Sequence, residues 1–169
     1  MDRQLIIDFW GINNLKRWSE ASLRDVGIPD SAKSFLAEVG LPFREDWTIR
    51  FELEADYLPR LPDRPTYRRI GFDYIVPICL DEANSGRVIA AEQEIGRTER
   101  YVNSTVEHFG EFLTYYQQYR QTGPVLPENQ IKTLIDETER QMQTADPSAF
   151  SDPNNYWATI IEQMKDGFL

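Results

Sequence analysis

Cysteine and histidine are almost absent from the sequence. Its 169 residues contain one of each, Cys79 and His108. A single cysteine excludes an intrachain disulfide, and one cysteine with one histidine gives no recognised zinc-binding pattern. The chain also lacks the GxGxxG and Walker glycines of phosphate-binding loops and the GxSxG motif that presents a nucleophilic serine. We therefore expect no metal, no cofactor and no catalytic role for His108, which fits a histidine at a helix surface or boundary.

Long hydrophobic runs are also missing. No stretch approaches the roughly 18 apolar residues that span a membrane. Residues 5–7 are too few for the apolar region of a signal peptide, and Asp8 follows them directly. From these features we expect a cytoplasmic protein.

Positive charge is scarce relative to negative charge. The chain has 28 Asp and Glu against 18 Lys and Arg, which gives a net charge of −10. An acidic surface repels nucleic-acid backbones and anionic membranes, so neither is expected as a partner, whereas a basic protein is attracted. Solubility is the simpler explanation of such acidity. With 41% hydrophobic residues, the chain is expected to fold rather than to stay disordered.

The spacing of apolar residues predicts strands in the middle of the chain. Apolar residues alternate over residues 48–54 and recur in short steps over residues 70–80, which is typical of half-buried strands. Turn residues at 84–86 then lead to two further short strands and directly into a helix. A meander of strands that feeds a helix predicts an α+β layer rather than a parallel βαβ sheet.

Helical signals occupy both ends of the chain. A first short helix is expected to end at Gly11, and a helix over residues 32–39 is expected to end at Gly40, because glycine readily takes positive φ. The helix that follows the sheet has Ser104 and Glu107 in the form of a capping box, with Asn103 as an alternative cap.

Neighbouring acids could in principle support chemistry. Asp81 with Glu82, and Glu92 with Glu94, are candidate pairs for acid–base catalysis. A turn or a solvated strand end is the alternative, since Asp is favoured where turns begin. No EF-hand spacing of Asp and Asn indicates a calcium site.

A series of short motifs occurs in an order that resembles a known family. The motifs are Phe9-Trp10-Gly11, Gly27-Ile28-Pro29, Phe35-Leu36, Gly40-Leu41-Pro42, Ile70-Gly71-Phe72-Asp73, Ile78-Cys79-Leu80-Asp81, Gly86-Arg87-Val88, Tyr101-Val102-Asn103-Ser104 with Phe109, Asp146-Pro147-Ser148-Ala149 and Tyr156-Trp157. Their order and spacing resemble the SUKH superfamily of bacterial immunity proteins, in particular its fourth subgroup.

This resemblance implies a fold and a function. The implied fold is a central, mainly antiparallel sheet flanked by helices, in one domain over residues 1–169. Its N-terminal helices would occupy residues 1–45, the sheet residues 46–102, and a helical C-terminal extension residues 103–169. The implied function is to bind and block toxins, many of them nucleases, that competing bacteria deliver. The positions that match the family signature are interpreted as fold-forming: Gly40, Leu41, Pro42, Gly71, Gly86, Asn103, Ser104 and Phe109.

Acidic residues around the predicted sheet are the candidates for contact with a basic toxin. Tyr57 is added as an aromatic anchor, and Trp47 is a second candidate anchor. An ordinary solvated surface residue is the alternative for each of them. The candidate toxin-binding residues are Glu52, Glu54, Asp56, Tyr57, Asp73, Asp81, Glu82, Glu92 and Glu94.

Three functions therefore follow from the sequence. The first is a non-catalytic immunity protein whose partner is a cognate toxin domain. The second is an intracellular interaction or regulatory scaffold on the same fold, since fold does not fix function. The third and least favoured is an enzyme with a carboxylate site.

Overall fold

Helices and strands occur in separate blocks of the chain. The computed structural model describes residues 3–43, 49–51, 56–91 and 99–168. The helices in these ranges are α1 Arg3–Trp10, α2 Glu20–Leu23, α3 Asp30–Glu38, α4 Val106–Thr122, α5 Glu128–Ala145 and α6 Tyr156–Lys165. The strands are β1 Leu15–Lys16, β2 Leu41–Pro42, β3 Ile49–Phe51, β4 Arg60–Leu61, β5 Arg64–Asp73, β6 Val76–Asp81, β7 Arg87–Ala91 and β8 Glu99–Asn103.

The central sheet is an antiparallel meander. Its strands follow the order β3-β5-β6-β7-β8, and β4 adds a second short pairing to β5. Strands β1 and β2 form a separate antiparallel pair. Short connections between successive strands permit this topology, whereas parallel strands need long crossovers. The predicted α+β fold, with helices flanking an antiparallel sheet and a helical C-terminal region, is confirmed.

The two faces of β6 belong to different cores. Ile78 and Leu80 lie in the main hydrophobic core, while Cys79 lies in a small second cluster with Leu61, Ile89 and Ala91. Successive side chains of a strand point to opposite faces, so the helices cover one face and the second cluster lies on the other. Burial raises the pKa of the Cys79 thiol to about 12, in keeping with a core side chain.

Helix α4 is the centre of the helical layer. It packs against α1, α3 and α5 and against β7 and β8. Phe109, Phe112 and Leu113 are completely buried. Trp10 of α1 donates a hydrogen bond from Nε1 to Thr114 Oγ1 at 2.9 Å, which fixes α1 on α4. Among the described residues, none of the helices combines the length and the apolar composition that crossing a membrane requires.

Two signature glycines lie where a side chain has no room. Gly40 follows α3 with φ +85°, and a Cβ there would come within 2.1 Å of the Lys16 carbonyl oxygen. At Gly71 a Cβ would come within 2.4 Å of the Arg50 carbonyl oxygen, on the paired strand β3. Positive φ explains glycine at position 40, and close strand approach explains it at position 71. Leu41 and Pro42, which follow Gly40, are both buried as β2.

The N-terminal cap of α4 differs from the predicted one. Thr105 is the cap residue, and its Oγ1 accepts a hydrogen bond from the His108 N–H at 3.2 Å. The predicted cap, Ser104, instead lies 2.9 Å through its Oγ from His108 Nδ1. Both residues have a side-chain oxygen that suits a cap, so the helix start was placed one residue early.

Candidate partner-binding surface

The candidate acids that the structure describes fall into two groups. Asp73 ends β5 and pairs with Val76, whereas Asp81 ends β6 and pairs with Tyr67. Tyr67 and Asp73 are six positions apart along β5, which is roughly 20 Å along the strands. Glu82 follows Asp81 directly, and Asp56 and Tyr57 precede Leu58, whose carbonyl contacts Arg68, the residue that pairs with Leu80. Four further candidates, Glu52, Glu54, Glu92 and Glu94, lie outside the described residues, as does Trp47.

Asp81 is a buried residue that organises the turn after β6. Its side chain is 1% exposed. Oδ1 accepts a hydrogen bond from Ala83 N–H at 3.1 Å, and Oδ2 accepts from Asn84 Nδ2 at 2.7 Å and from Arg87 Nε at 3.0 Å. Gly86 completes the turn with φ +73°. Asp81 thus differs from the solvated docking residue expected from the sequence, because a buried carboxylate offers no surface to a partner.

Glu82 ties the sheet to the connection between α2 and α3. Its Oε1 accepts hydrogen bonds from Gly27 N–H at 2.7 Å and from Arg68 Nε at 2.8 Å, and Arg60 lies 3.3 Å from Oε2. Burial raises the pKa of Glu82, but the bonds from Gly27 and Arg68 outweigh that effect and hold the pKa below its usual value. These contacts leave 11% of the side chain exposed, so Glu82 is also mainly structural.

Asp56 and Tyr57 remain exposed at this end. Asp56 accepts a hydrogen bond from the Ser19 N–H at 2.9 Å, and its hydrogen bonds with Ser19 lower its pKa. Tyr57 is 59% exposed. The next residue, Leu58, is buried, and its carbonyl accepts from Arg68 at 3.2 Å, which anchors the chain beside Tyr57. Tyr57 therefore has the accessible ring that an interface anchor needs.

Asp73 is a half-buried residue at the other end, where it joins the sheet to α6. Tyr156 donates a hydrogen bond from its hydroxyl to Asp73 Oδ2 at 2.8 Å. Burial, followed by the neighbouring Asp73 carboxylate, raises the pKa of Tyr156 well above its usual value. Asp73 thus anchors the end of the β5–β6 hairpin.

Two residues that the sequence interpretation missed form the tip of this hairpin. Tyr74 and Ile75 connect the paired residues Asp73 and Val76, and they are 76% and 84% exposed. Tyr74 has φ +52°, the left-handed region that non-glycine residues rarely occupy. Neither residue is Gly, Asn or Asp, the residue types that usually indicate a hairpin turn, so the tip carries no turn signal in the sequence.

A further carboxylate, Asp146, joins α5 to the end of β8. Oδ2 accepts hydrogen bonds from Ser104 N–H at 2.7 Å and from Asn103 Nδ2 at 3.2 Å, and Ser148 donates its hydroxyl to Oδ1. Asn103 in turn accepts a hydrogen bond from Trp157 Nε1 at 2.9 Å. Burial raises the pKa of Asp146, but the bonds from Ser148, Ser104 and Asn103 outweigh it, so the pKa lies below its usual value.

The geometry around His108 does not match a catalytic triad. Ser104 Oγ lies 2.9 Å from His108 Nδ1, and Asp146 Oδ2 lies 3.8 Å from the same nitrogen. A triad needs the nucleophile and the acid on opposite ring nitrogens, so that the base can take a proton while the acid orients it. Within the described ranges, no group of three His, Cys, Asp or Glu is placed to hold a metal ion.

A surface cleft of about 1060 Å³ lies between α5 and α6. Ile131, Ile135 and Met164 form its apolar part, and its acids include Asp136 and Asp166. Both of these acids are exposed. The acids of this cleft are therefore solvated, unlike the enclosed carboxylates of many active sites.

The comparisons with known proteins identify a family. No curated protein and no solved structure matches the chain. A family model described as SUKH-4 immunity protein matches residues 1–163, which include all the strands and helices described above except the last two residues of α6. The chain belongs to the SUKH-4 immunity protein family.

Proposed function

We propose that this protein is a non-catalytic immunity protein that binds a cognate toxin domain and neutralises it, and that the toxin is a basic nuclease. The family match over residues 1–163 carries the proposal, since members of an immunity family act on toxins. The protein would meet its toxin in the cytoplasm, where a nuclease finds nucleic acid.

The charge of the chain supports a basic target. A nuclease binds a polyanion, so its substrate cleft is basic, and a protein with net charge −10 is attracted to it over long range. Such attraction raises the association rate and weakens with salt. An acidic inhibitor that occupies the cleft therefore excludes the nucleic acid.

The exposed candidates are the acids and aromatic residues that retain free surface. Asp56 and Tyr57 lie before β4, and Asp73 lies at the end of β5. Glu52, Glu54, Glu92 and Glu94 stay part of the proposed surface. Asp81 and Glu82 are assigned to the scaffold, because their oxygens bind Arg87, Arg68 and backbone N–H groups of the same chain.

Co-expression with the toxin domain encoded by the neighbouring reading frame tests the function. We expect cells that produce the toxin to survive when this protein is present and to die when it is absent. The matched control is an inactivated toxin, which should be harmless in both strains. Death with and without this protein, for every toxin domain encoded nearby, would refute the proposal.

A titration distinguishes blocking from catalysis. Purified toxin is mixed with increasing amounts of this protein, and the remaining nuclease activity is measured on DNA and on RNA. A blocking protein removes activity in proportion to the amount added and reaches its end point at a fixed stoichiometric ratio. An end point that falls as the mixing time lengthens would instead indicate enzymatic inactivation. If the toxin degrades neither nucleic acid, the nuclease part of the proposal fails.

A further inference from the structure

The tip of the β5–β6 hairpin exposes more apolar surface than a turn requires. Tyr74 and Ile75 are adjacent and are 76% and 84% exposed. Two-residue hairpin turns favour Gly, Asn and Asp, because the first residue takes positive φ. Tyr74 occupies that conformation with φ +52° although its side chain makes it unfavourable. Sequence and local structure conflict here, and such conflicts concentrate at functional sites.

The base of the hairpin holds the tip in place. Strands β5 and β6 pair from Tyr67 with Asp81 to Asp73 with Val76. Tyr156 Oη donates to Asp73 Oδ2, directly before the tip, and Tyr156 is 8% exposed and packs edge-on against Trp157 at 5.3 Å between ring centroids. An anchor held in this way loses little conformational freedom on binding, which favours affinity.

We propose that Tyr74 and Ile75 are the apolar anchor of the interface with the toxin domain, and that they insert into an apolar recess on its surface. This inference rests on the proposed function, which supplies the protein partner. Aromatic and large apolar side chains that become fully buried dominate the energy of an interface, whereas charges at the rim mainly steer the encounter. The net charge of −10 and the tip would thus have separate effects, on the association rate and on the dissociation rate.

The test measures binding of the double variant Tyr74→Asn with Ile75→Ser to the inactivated toxin domain encoded beside this protein. Asn accepts positive φ and Ser is exposed without cost, so the thermal midpoint should stay equal or rise. We expect Kd to rise at least about 30-fold, the loss that a hot spot causes, mostly through faster dissociation. The loss should be the same at low and high salt, since it is apolar.

Val125 provides a matched control. It is 79% exposed, and it lies in the short helical turn between α4 and α5. Val125→Ser removes a similar exposed apolar side chain from another turn and should leave Kd unchanged. Tyr57→Ser, at 59% exposure, tests the aromatic anchor predicted from the sequence in the same assay.

The outcomes separate the tip from the function. If the wild-type protein binds the toxin and the double variant binds it equally well, the inference is overturned while the proposed function stands. If the wild-type protein does not bind the toxin, the proposed function fails, and the inference that rests on it fails with it. If the wild-type protein self-associates in light scattering and the double variant is monomeric with unchanged toxin affinity, the tip is a contact between copies and the inference is also overturned.

Discussion

The two ends of β5 and β6 differ in the types of residue that they bury and expose. We call the end that holds Asp81, Glu82 and Asp146 the carboxylate end; there β6 and β8 finish and β7 begins. Each of these carboxylates accepts at least two hydrogen bonds from the chain itself. At the hairpin tip, by contrast, Tyr74 and Ile75 project with most of their surface exposed. Acidic residues, which usually lie on the solvated surface, are here mostly buried. Large apolar residues, which usually form the core, are here exposed.

This contrast separates stability from binding. A buried carboxylate that accepts several hydrogen bonds is costly to replace, because its donors lose their partner in a low-dielectric site. Exposed apolar residues contribute little to folding and can be replaced without such a cost. Changes at the carboxylate end should therefore alter stability, and changes at the tip should alter binding.

The largest effect is expected for Asp81→Ala. The change removes the acceptor for Ala83 N–H, Asn84 and Arg87, and it leaves Arg87 with one fewer counter-charge. We expect the free energy of unfolding to fall by about 3 kcal/mol, the loss typical of breaking a buried ion pair. Urea denaturation at pH 7 measures it. Asp81→Asn, which keeps an acceptor oxygen, should lose less. If Asp81→Ala lowers the free energy of unfolding by less than about 0.5 kcal/mol, as ordinary surface substitutions do, the carboxylate end does not stabilise the fold more than the tip does.

Asp146→Asn is expected to have a smaller effect that depends on pH. The folded-state pKa of Asp146 lies below its usual value of 3.8. Its ionised form therefore stabilises the folded state above the unfolded pKa, and this stabilisation disappears as pH falls through the folded pKa. We expect Asn to cost about 1–3 kcal/mol at pH 5, where the carboxylate is ionised and its donors lose a charged acceptor.

Urea denaturation of both proteins at pH 5 and pH 3 checks this dependence. The difference between wild type and Asp146→Asn should shrink towards pH 3, because the wild-type carboxylate takes up a proton in the unfolded chain before it does so in the folded protein. Glu82, whose pKa is also lowered, changes in both proteins alike and cancels in the comparison. A difference that grows as pH falls would contradict the direction of the shift.

The start of α4 gives a third and smaller effect at the same end. Thr105→Ala removes the cap bond to His108 N–H and should cost about 1 kcal/mol. Ser104→Ala removes contacts between side chains, among them Oγ to His108 Nδ1, and should cost less. Thermal or urea unfolding of the two variants compares them directly. A larger loss of stability for Ser104→Ala than for Thr105→Ala would instead support Ser104 as the cap residue, as predicted from the sequence.

Local patterns in the sequence were sufficient for much of the fold. The short apolar steps that include Ile78 and Leu80 indicated a strand, and glycine at position 40 indicated the end of a helix, because both signals arise from neighbouring residues. The start of α4 was predicted one residue early, since Ser104 and Thr105 have equivalent hydroxyls and tertiary contacts decide which one caps.

The candidate surface was harder to predict, because it depends on distant contacts. Nothing near Asp81 in the sequence shows that its carboxylate is buried, and the pairing of Asp146 with Ser104 joins residues 42 positions apart. Charge alone therefore suggested a docking role for acids that stabilise the scaffold. The hairpin tip was not predicted, because a turn made of tyrosine and isoleucine lacks the Gly, Asn or Asp that usually indicates one.

The smallest predicted effect tests whether the tip is strained. Tyr74→Asn should raise the free energy of unfolding by about 0.5–1 kcal/mol, because Asn tolerates the φ of +52° that is unfavourable for Tyr. Tyr57→Asn is the matched control: Tyr57 is also exposed but has no positive φ, so its stability should not change. Urea denaturation at pH 7 measures both. A gain at position 74 together with weaker toxin binding would show that the tip sacrifices stability for function, whereas a loss of stability would mean that Tyr74 belongs to the scaffold, like the carboxylates at the other end.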